Sequence, residues 1–167
     1  RLMARRGNRL HLLGRDLDDL QRCATDLEIQ GAPRPVGCTR CDLLEPAGFG
    51  LALDAAAANL DGFDTVIVTA GLYATQEELE ADRALRERLL TVDLTNTIQF
   101  CEEARVRLLA AGGGTLCVFS SVAGDRARKP VILYGAAKAG LSYYLEGLDH
   151  KFRSRGLRTV LVKPGFV

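Results

Sequence analysis

Five short apolar runs separated by longer amphipathic stretches constrain the fold of this chain more than any other feature. RLHLLG (9–14), PVGCTRCDL (35–43), DTVIVTAG (64–71), TLCVFSS (115–121) and RTVLVKPG (158–165) read as strands, and helical periodicity fills roughly 15–30, 47–60, 76–111 and 131–154. Gly31, Gly62, the run Gly112-Gly113-Gly114 and Gly156 fall where helices should end, since glycine enters the left-handed conformation without a steric cost. The strands are apolar almost throughout, as expected of a sheet covered by helices on both faces. Strand and helix thus alternate in the order of an α/β fold built on a doubly wound parallel sheet.

At 167 residues and 47% hydrophobic content the chain is long enough for a substantial core, and one domain spanning 1–167 is expected. Its 22 basic and 21 acidic residues leave a formal net charge of +1 and are scattered along the chain, which argues against nucleic acid as a partner. No apolar stretch approaches the roughly 18 residues of a transmembrane segment, and no secretory pattern opens the chain. A soluble, cytoplasmic protein is the expectation. Five cysteines, an odd number, fit free thiols in a reducing compartment. Cys38 and Cys41 have CxxC spacing, but zinc would need a second ligand pair, and neither His11 nor His150 has a partner at ligand spacing; no metal is expected. The pair reads either as a redox couple or, more plainly, as two side chains on a short strand. RLMARRGN has the pattern of a helix's last turns capped by Gly7, and the sequence stops directly after PGFV, so a core incomplete at both ends is expected.

In open parallel sheets, ligands bind beyond the carboxyl ends of the strands. The unusual residues of this chain collect there: Arg15, Asp42, Thr69-Ala70-Gly71, Ser120-Ser121 and Pro164-Gly165. Asp93 is a further oddity, an acid in a helical stretch that turns apolar around LLTVDL, and must be paired, hydrated or functional. Tyr134 and Lys138, four apart, project from one helical face. Singly, a strand-end serine is ordinarily a cap, and a helical Tyr-Lys pair is ordinarily packing plus a solvated amine.

Together, Ser121, Tyr134-x-x-x-Lys138, Thr69-Ala70-Gly71 in place of Asn-Ala-Gly, and Pro164-Gly165 resemble the short-chain dehydrogenase/reductase family, in its order and spacing over essentially the whole chain. The resemblance implies a Rossmann-type fold and NAD(P)-dependent hydride transfer to or from a carbonyl or alcohol substrate. Tyr134 would be the general acid/base, with Ser121 donating a hydrogen bond to the substrate oxygen. A Lys138 ammonium near the phenol should lower the tyrosine pKa from its usual value of about 10. Asp93 takes the place of the family's catalytic Asn, VDL for VNL; ionised beside Lys138, it would partly cancel the ammonium's pull on Tyr134. By the family's pattern Asp42 and Leu43 lie along the adenine, Thr69, Ala70 and Gly71 line the ribose, Tyr134 and Lys138 touch the cofactor, and Pro164, Gly165 and Val167 border it. Gly71 would lack a side chain so that backbone can come close to the ligand.

Gly14 stands where an NAD-preferring fold carries an acid for the ribose 2′-hydroxyl, and Arg15 follows, so NADP(H) is expected over NAD(H). The plainer reading is that Arg15 merely starts a helix beside Asp16. The family's Gly-rich phosphate loop and substrate-covering region lie outside the sequence, and weak cofactor binding is therefore expected. Arg126, Arg128 and Lys129 form either a solvated basic loop or an attractor for an anionic substrate group. RARKPVILYGAAKAGL is weakly similar to the lipid-phosphate-linked pentose keto-reductases of the family. Gly135, Ala136, Ala137, Ala139 and Gly140, with Tyr143, Tyr144 and Leu145, suggest a homodimer or homotetramer along this helix, as family members commonly pair; ordinary packing within the chain is the alternative. The competing function is a non-catalytic dinucleotide-binding protein with a regulatory or structural role, which Asp93 alone favours.

Overall fold

A computed structural model describes residues 1–33 and 35–165, and the chain divides into two compact units, Arg1–Phe63 and Asp64–Val167. In the first, α1 (Leu2–Arg5) precedes β1 (His11–Gly14), α2 (Leu17–Ile29), β2 (Gly37–Arg40) and α3 (Phe49–Leu60). β1 and β2 pair in parallel, His11 opposite Gly37 and Gly14 opposite Arg40. α2 begins where Asp16, as N-cap, accepts the Asp19 N–H at 3.0 Å. Asp18 and Asp19 then complement the positive end of the helix. In α3, Phe49, Ala52, Leu53 and Ala56 recur at three- and four-residue spacing and form its buried face. His11 links three elements: Nε2 lies 2.9 Å from Thr39 Oγ1 on β2 and Nδ1 lies 3.2 Å from Asn59 Oδ1 on α3.

The second unit runs β3 (Thr65–Val68), α4 (Gln76–Ala81), α5 (Arg83–Leu90), a π-helical turn (Thr91–Asn96), α6 (Thr97–Ala110), β4 (Gly114–Phe119), α7 (Ile132–Phe152) and β5 (Leu157–Val162). Its sheet is parallel in the order β3-β4-β5, with Val68 opposite Val118 and Phe119 opposite Val162. Leu116 and Val118 of the central strand are buried. The buried stripe of α7, Lys138, Leu141, Leu145, Leu148 and Phe152, repeats every three or four residues as a helix on a sheet requires. No helix among the described residues is long and apolar enough to cross a membrane.

The parallel pairing and the alternation of elements match the sequence expectation, with the ladder β1-β2 in the first unit and β3-β4-β5 in the second. The expected helix over 76–111 is interrupted twice. Asp82 leaves helical geometry (φ −120°, ψ 105°), and its carboxylate accepts the Leu85 N–H at 3.0 Å to cap α5, a competition with the helix backbone to which aspartate is prone. Further on, the ladder loosens into the π turn, and Thr97 Oγ1 donates to the Val92 carbonyl at 2.7 Å. Strands β2, β3, β4 and β5 end at 40, 68, 119 and 162, earlier than the sequence runs end. Residues 69–71, 120–121 and 164–165 thereby leave the ladder and become loops at the carboxyl ends.

The starts of β4 and β5 are pinned by a glycine contact. Gly114 N–H donates to the Gly156 carbonyl at 2.9 Å, and a Cβ on Gly113 (φ +124°) would lie 2.5 Å from that same oxygen. Gly113→Ala should therefore cost on the order of 3 kcal/mol, combining left-handed strain with overpacking. Gly112→Ala, at φ +93° with open space around it, should cost only about 1–2 kcal/mol. Denaturant unfolding of the two variants checks the difference.

Candidate active site

The site is organised around a buried charge pair in the second unit. Lys138 Nζ lies 3.3 Å from Asp93 Oδ2, with side-chain exposures of 5% and 0%. Oδ2 has no hydrogen-bond partner among the described residues, and Coulomb attraction holds the contact with Lys138. Asp93 Oδ1 accepts the Leu72 N–H at 2.6 Å. Burial pushes the Asp93 carboxyl above the ordinary carboxylate range, opposed by the Lys138 charge and the Leu72 N–H. Gly71 closes over the pair, for a Cβ there would sit 3.3 Å from Lys138 Nζ and 3.4 Å from Asp93 Oδ1. The close approach that Gly71 permits in this structure is thus to the Lys138–Asp93 pair. The backbone of α7 is held as well: the Lys138 carbonyl accepts from Ser120 Oγ at 2.9 Å and from Ser142 Oγ at 2.7 Å.

One turn before Lys138, the half-buried Tyr134 packs on the apolar cluster of Ala74, Leu79, Leu89 and Ala137. Tyr73 meets its ring edge-on at 5.3 Å between centroids, and Lys138 Nζ stands 5.5 Å from the ring centre. Burial raises the phenol above the ordinary tyrosine value; a hydrogen bond with Ser121 draws it down, and Asp93 and Tyr73 push it up. The depression expected from Lys138 is reversed in direction, chiefly because the ring is buried and secondarily because Asp93, 3.3 Å from the ammonium, adds to the rise. Ser121 opens a 3-10 turn (Val122–Gly124), its Oγ accepting the Ala123 N–H at 3.1 Å, which leaves the hydroxyl hydrogen to donate. The turn is fastened to β5 by Val122 N–H donating to the Pro164 carbonyl at 3.3 Å.

The remaining sequence candidates lie at strand ends. In the first unit Arg15 is exposed just past β1, and Gly14 packs under Leu20, whose Cδ2 would be 3.1 Å from a Cβ. Asp42 past β2 is half-buried and accepts the Leu44 N–H at 2.9 Å; Leu43 beside it is half-buried. In the second unit Thr69, Ala70, Gly71 and Gly165 are exposed and Pro164 is half-buried; Val167 lies outside the described residues.

The short chain dehydrogenase pattern matches residues 1–167. The chain belongs to the short chain dehydrogenase family. It is 31% identical over 161 residues to an uncharacterized oxidoreductase of Mycobacterium tuberculosis, covering 96% of this chain and 64% of that protein. A second uncharacterized oxidoreductase, from Streptomyces coelicolor, is 32% identical over 167 residues, covering 100% of this chain and 65% of the relative. The chain thus spans just under two thirds of the length of these relatives. Actinorhodin polyketide ketoreductase, solved with NADPH, superposes with a TM-score of 0.90 over 99% of this chain and 63% of its own, at 18% identity, a likeness of fold. The architecture is accordingly the Rossmann-type α/β fold of short chain dehydrogenases.

Several residues of this dehydrogenase site escape motif reading. Tyr73, two past Gly71, carries no spacing signal, and Gly124 is one of many glycines. The small residues of α7 serve packing within the chain. A Cβ on Gly135 would lie 2.7 Å from the Ala123 carbonyl, and one on Gly140 would lie 3.1 Å from Leu94 Cδ1. Ala137 and Leu145 are buried within the chain, Tyr144 is half-buried and donates its hydroxyl to Glu102 Oε1 at 2.6 Å, and Tyr143 is 81% exposed. Burial also raises the Cys38 and Cys41 thiols, opposite to the shift that makes a CxxC pair reactive.

Gly124 is the most exacting of these contacts, since a Cβ there would lie 2.7 Å from the Ala139 backbone nitrogen and 2.8 Å from the Lys138 carbonyl carbon. Gly124→Ala should lose about 2 kcal/mol and shift the Tyr134 ring signals as the Ser121 turn is forced off α7. Gly147→Ala on the same helix, with nothing within 4 Å, should instead gain about 0.5–1 kcal/mol. Thermal unfolding with tyrosine ring-carbon NMR reads both effects.

Proposed function

We propose that this short chain dehydrogenase is an NADP(H)-dependent oxidoreductase acting on a carbonyl or alcohol substrate, with Tyr134 as general acid and base. The supporting observation is the gathering of Ser121, Lys138 and Asp93 around one half-buried phenol. A nicotinamide, when bound, supplies or takes up the hydride. The side chains handle the proton. In reduction, the Tyr134 O–H bond breaks as the alcohol O–H bond forms, and the phenolate is reprotonated from water; oxidation returns the proton by the same route. Ser121 donates its hydroxyl hydrogen to the same substrate oxygen, which stabilises the negative charge developing there.

Thr69, Ala70 and Gly71 would hold the cofactor at the end of β3, with Pro164 and Gly165 bordering it and Tyr134 and Lys138 in contact. Gly14, Arg15, Asp42 and Leu43 would serve its adenosine end. Arg15 supports NADP(H) over NAD(H), because an exposed guanidinium offers a bidentate site for the 2′-phosphate. The exposed Arg126 and Lys129 suit a substrate carrying an anionic group, while neighbouring Asp125 is taken by Lys163 at 2.5 Å. The five free cysteines fit a cytoplasmic setting, and exposed Ala136 and Tyr143 leave part of α7 for a homodimer or homotetramer. The second reading, a dinucleotide-binding protein without turnover, draws on one observation: Asp93 neutralises the lysine that would otherwise activate Tyr134.

Tyr134→Phe should lower NADPH-dependent reduction of small ketones by about 10²–10⁴-fold with cofactor affinity nearly unchanged, and retained turnover would remove Tyr134 from its role. Binding without turnover in the unsubstituted protein would favour the second reading. Arg15→Ala should weaken NADPH by about 10–100-fold and NADH hardly at all, as measured by cofactor fluorescence; equal losses would refute the phosphate contact.

A further inference from the structure

Lys138 faces two groups at once. Its Nζ is 5.5 Å from the centre of the Tyr134 ring but 3.3 Å from the Asp93 carboxylate, and both members of the ion pair are buried. Seen from the phenol, a cation with an anion at that distance is a dipole, whose potential falls off faster than that of a lone charge. The placement is held from several sides: the π turn carries Asp93, the Leu72 N–H fixes Oδ1, Gly71 leaves the space, and Ser120 and Ser142 anchor the Lys138 carbonyl.

Among the described residues, Lys138 from α7, Asp93 from the π turn and Tyr73 from the segment after β3 are the titratable groups that act on or face the Tyr134 ring, with the Ser121 hydroxyl beside them. The acidic residues of α4 and the charged residues of the loop before α7 are exposed to solvent, where water and salt screen them. On α5, Arg86 turns its guanidinium to the Leu79 carbonyl at 3.2 Å.

We propose that Asp93 is a positioning residue that neutralises Lys138 toward Tyr134, keeping the phenol in its protonated, donor form and so favouring carbonyl reduction over alcohol oxidation near neutral pH. Burial is the largest cause of the raised Tyr134 phenol, and Asp93 adds to the rise in the direction this placement requires. A phenol kept protonated is present in the donor form that carbonyl reduction needs throughout the neutral range, whereas oxidation needs the same group as a base and awaits higher pH. The direction of reaction rests on the oxidoreductase reading; the electrostatic assignment does not.

The test is an NMR titration of the full chain labelled at the tyrosine ring carbon, with four tyrosines to resolve and Tyr134→Phe to assign the signal. In Asp93→Asn the Tyr134 midpoint should move to lower pH, because the ammonium is no longer balanced. In Asp93→Asn combined with Lys138→Met it should return toward that of the unsubstituted protein, a comparison that stands even where the single variant folds poorly. An unchanged or higher midpoint in Asp93→Asn, or a double variant far from the original midpoint, would overturn the proposal. Alcohol oxidation with NADP⁺ is read in parallel, where Asp93→Asn should move the rise in rate to lower pH. If the midpoint shifts in Asp93→Asn while neither protein turns over any alcohol or ketone, the oxidoreductase reading fails and the assignment to Asp93 holds.

Discussion

A lysine and an aspartate buried against each other set the terms for the functional end of the second unit. Taking two charges out of water is costly, and removing one partner of such a pair typically costs about 3–5 kcal/mol because the other is left uncompensated. The surrounding chain is arranged accordingly. The segment after β3 comes in as glycine at Gly71, since any side chain there would press on Lys138 Nζ. The helix carrying Asp93 departs from α geometry over Thr91–Asn96, and the backbone of α7 at Lys138 is tied to β4 through Ser120. The loops after β3 and β4, the π turn and α7 therefore meet at a single ion pair.

The same geometry explains the small residues nearby. Ser121 can reach Tyr134 only if the turn bearing it lies directly on α7, and that contact consists of Gly124 against the backbone of Lys138 and Ala139, and Gly135 against the Ala123 carbonyl. Side chains at either position would separate the serine from the tyrosine. Gly140 similarly admits Leu94, which follows Asp93 in the π turn, so the lateral fit of α7 and the placement of the acid are parts of one packing problem.

Much of this was legible in the residues alone. The alternation of strands and helices and the parallel pairing followed from apolar runs alternating with amphipathic ones, and Ser121, Tyr134, Lys138 and Asp93 do meet. The single helix over 76–111 was misjudged because periodicity does not register that Asp82 can cap a new helix with its own side chain, nor that a ladder can widen by one residue. Tyr134 was expected to be depressed because its spacing from Lys138 is visible in sequence, whereas the burial of its ring and the competing approach of Asp93 are properties of packing. The stripe of glycine and alanine on α7 looked like an open surface for the same reason: sequence shows that residues are small without showing what fills the space. Of that stripe Ala137 is buried inside the chain, whereas Ala136 is exposed.

What makes the arrangement chemically distinctive is a Ser-Tyr-Lys grouping combined with an acid that balances the lysine, and the proposed proton transfer rests on a phenol modulated by Ser121 and Asp93 together. The most direct test of hydride transfer at this centre is to offer the full chain NADPH carrying deuterium at the reactive ring carbon, with a series of small ketones, and follow the label by mass spectrometry. The account predicts one deuterium on the carbinol carbon of the product alcohol. Alcohol formed without label, or no alcohol from any ketone in the series, would contradict it.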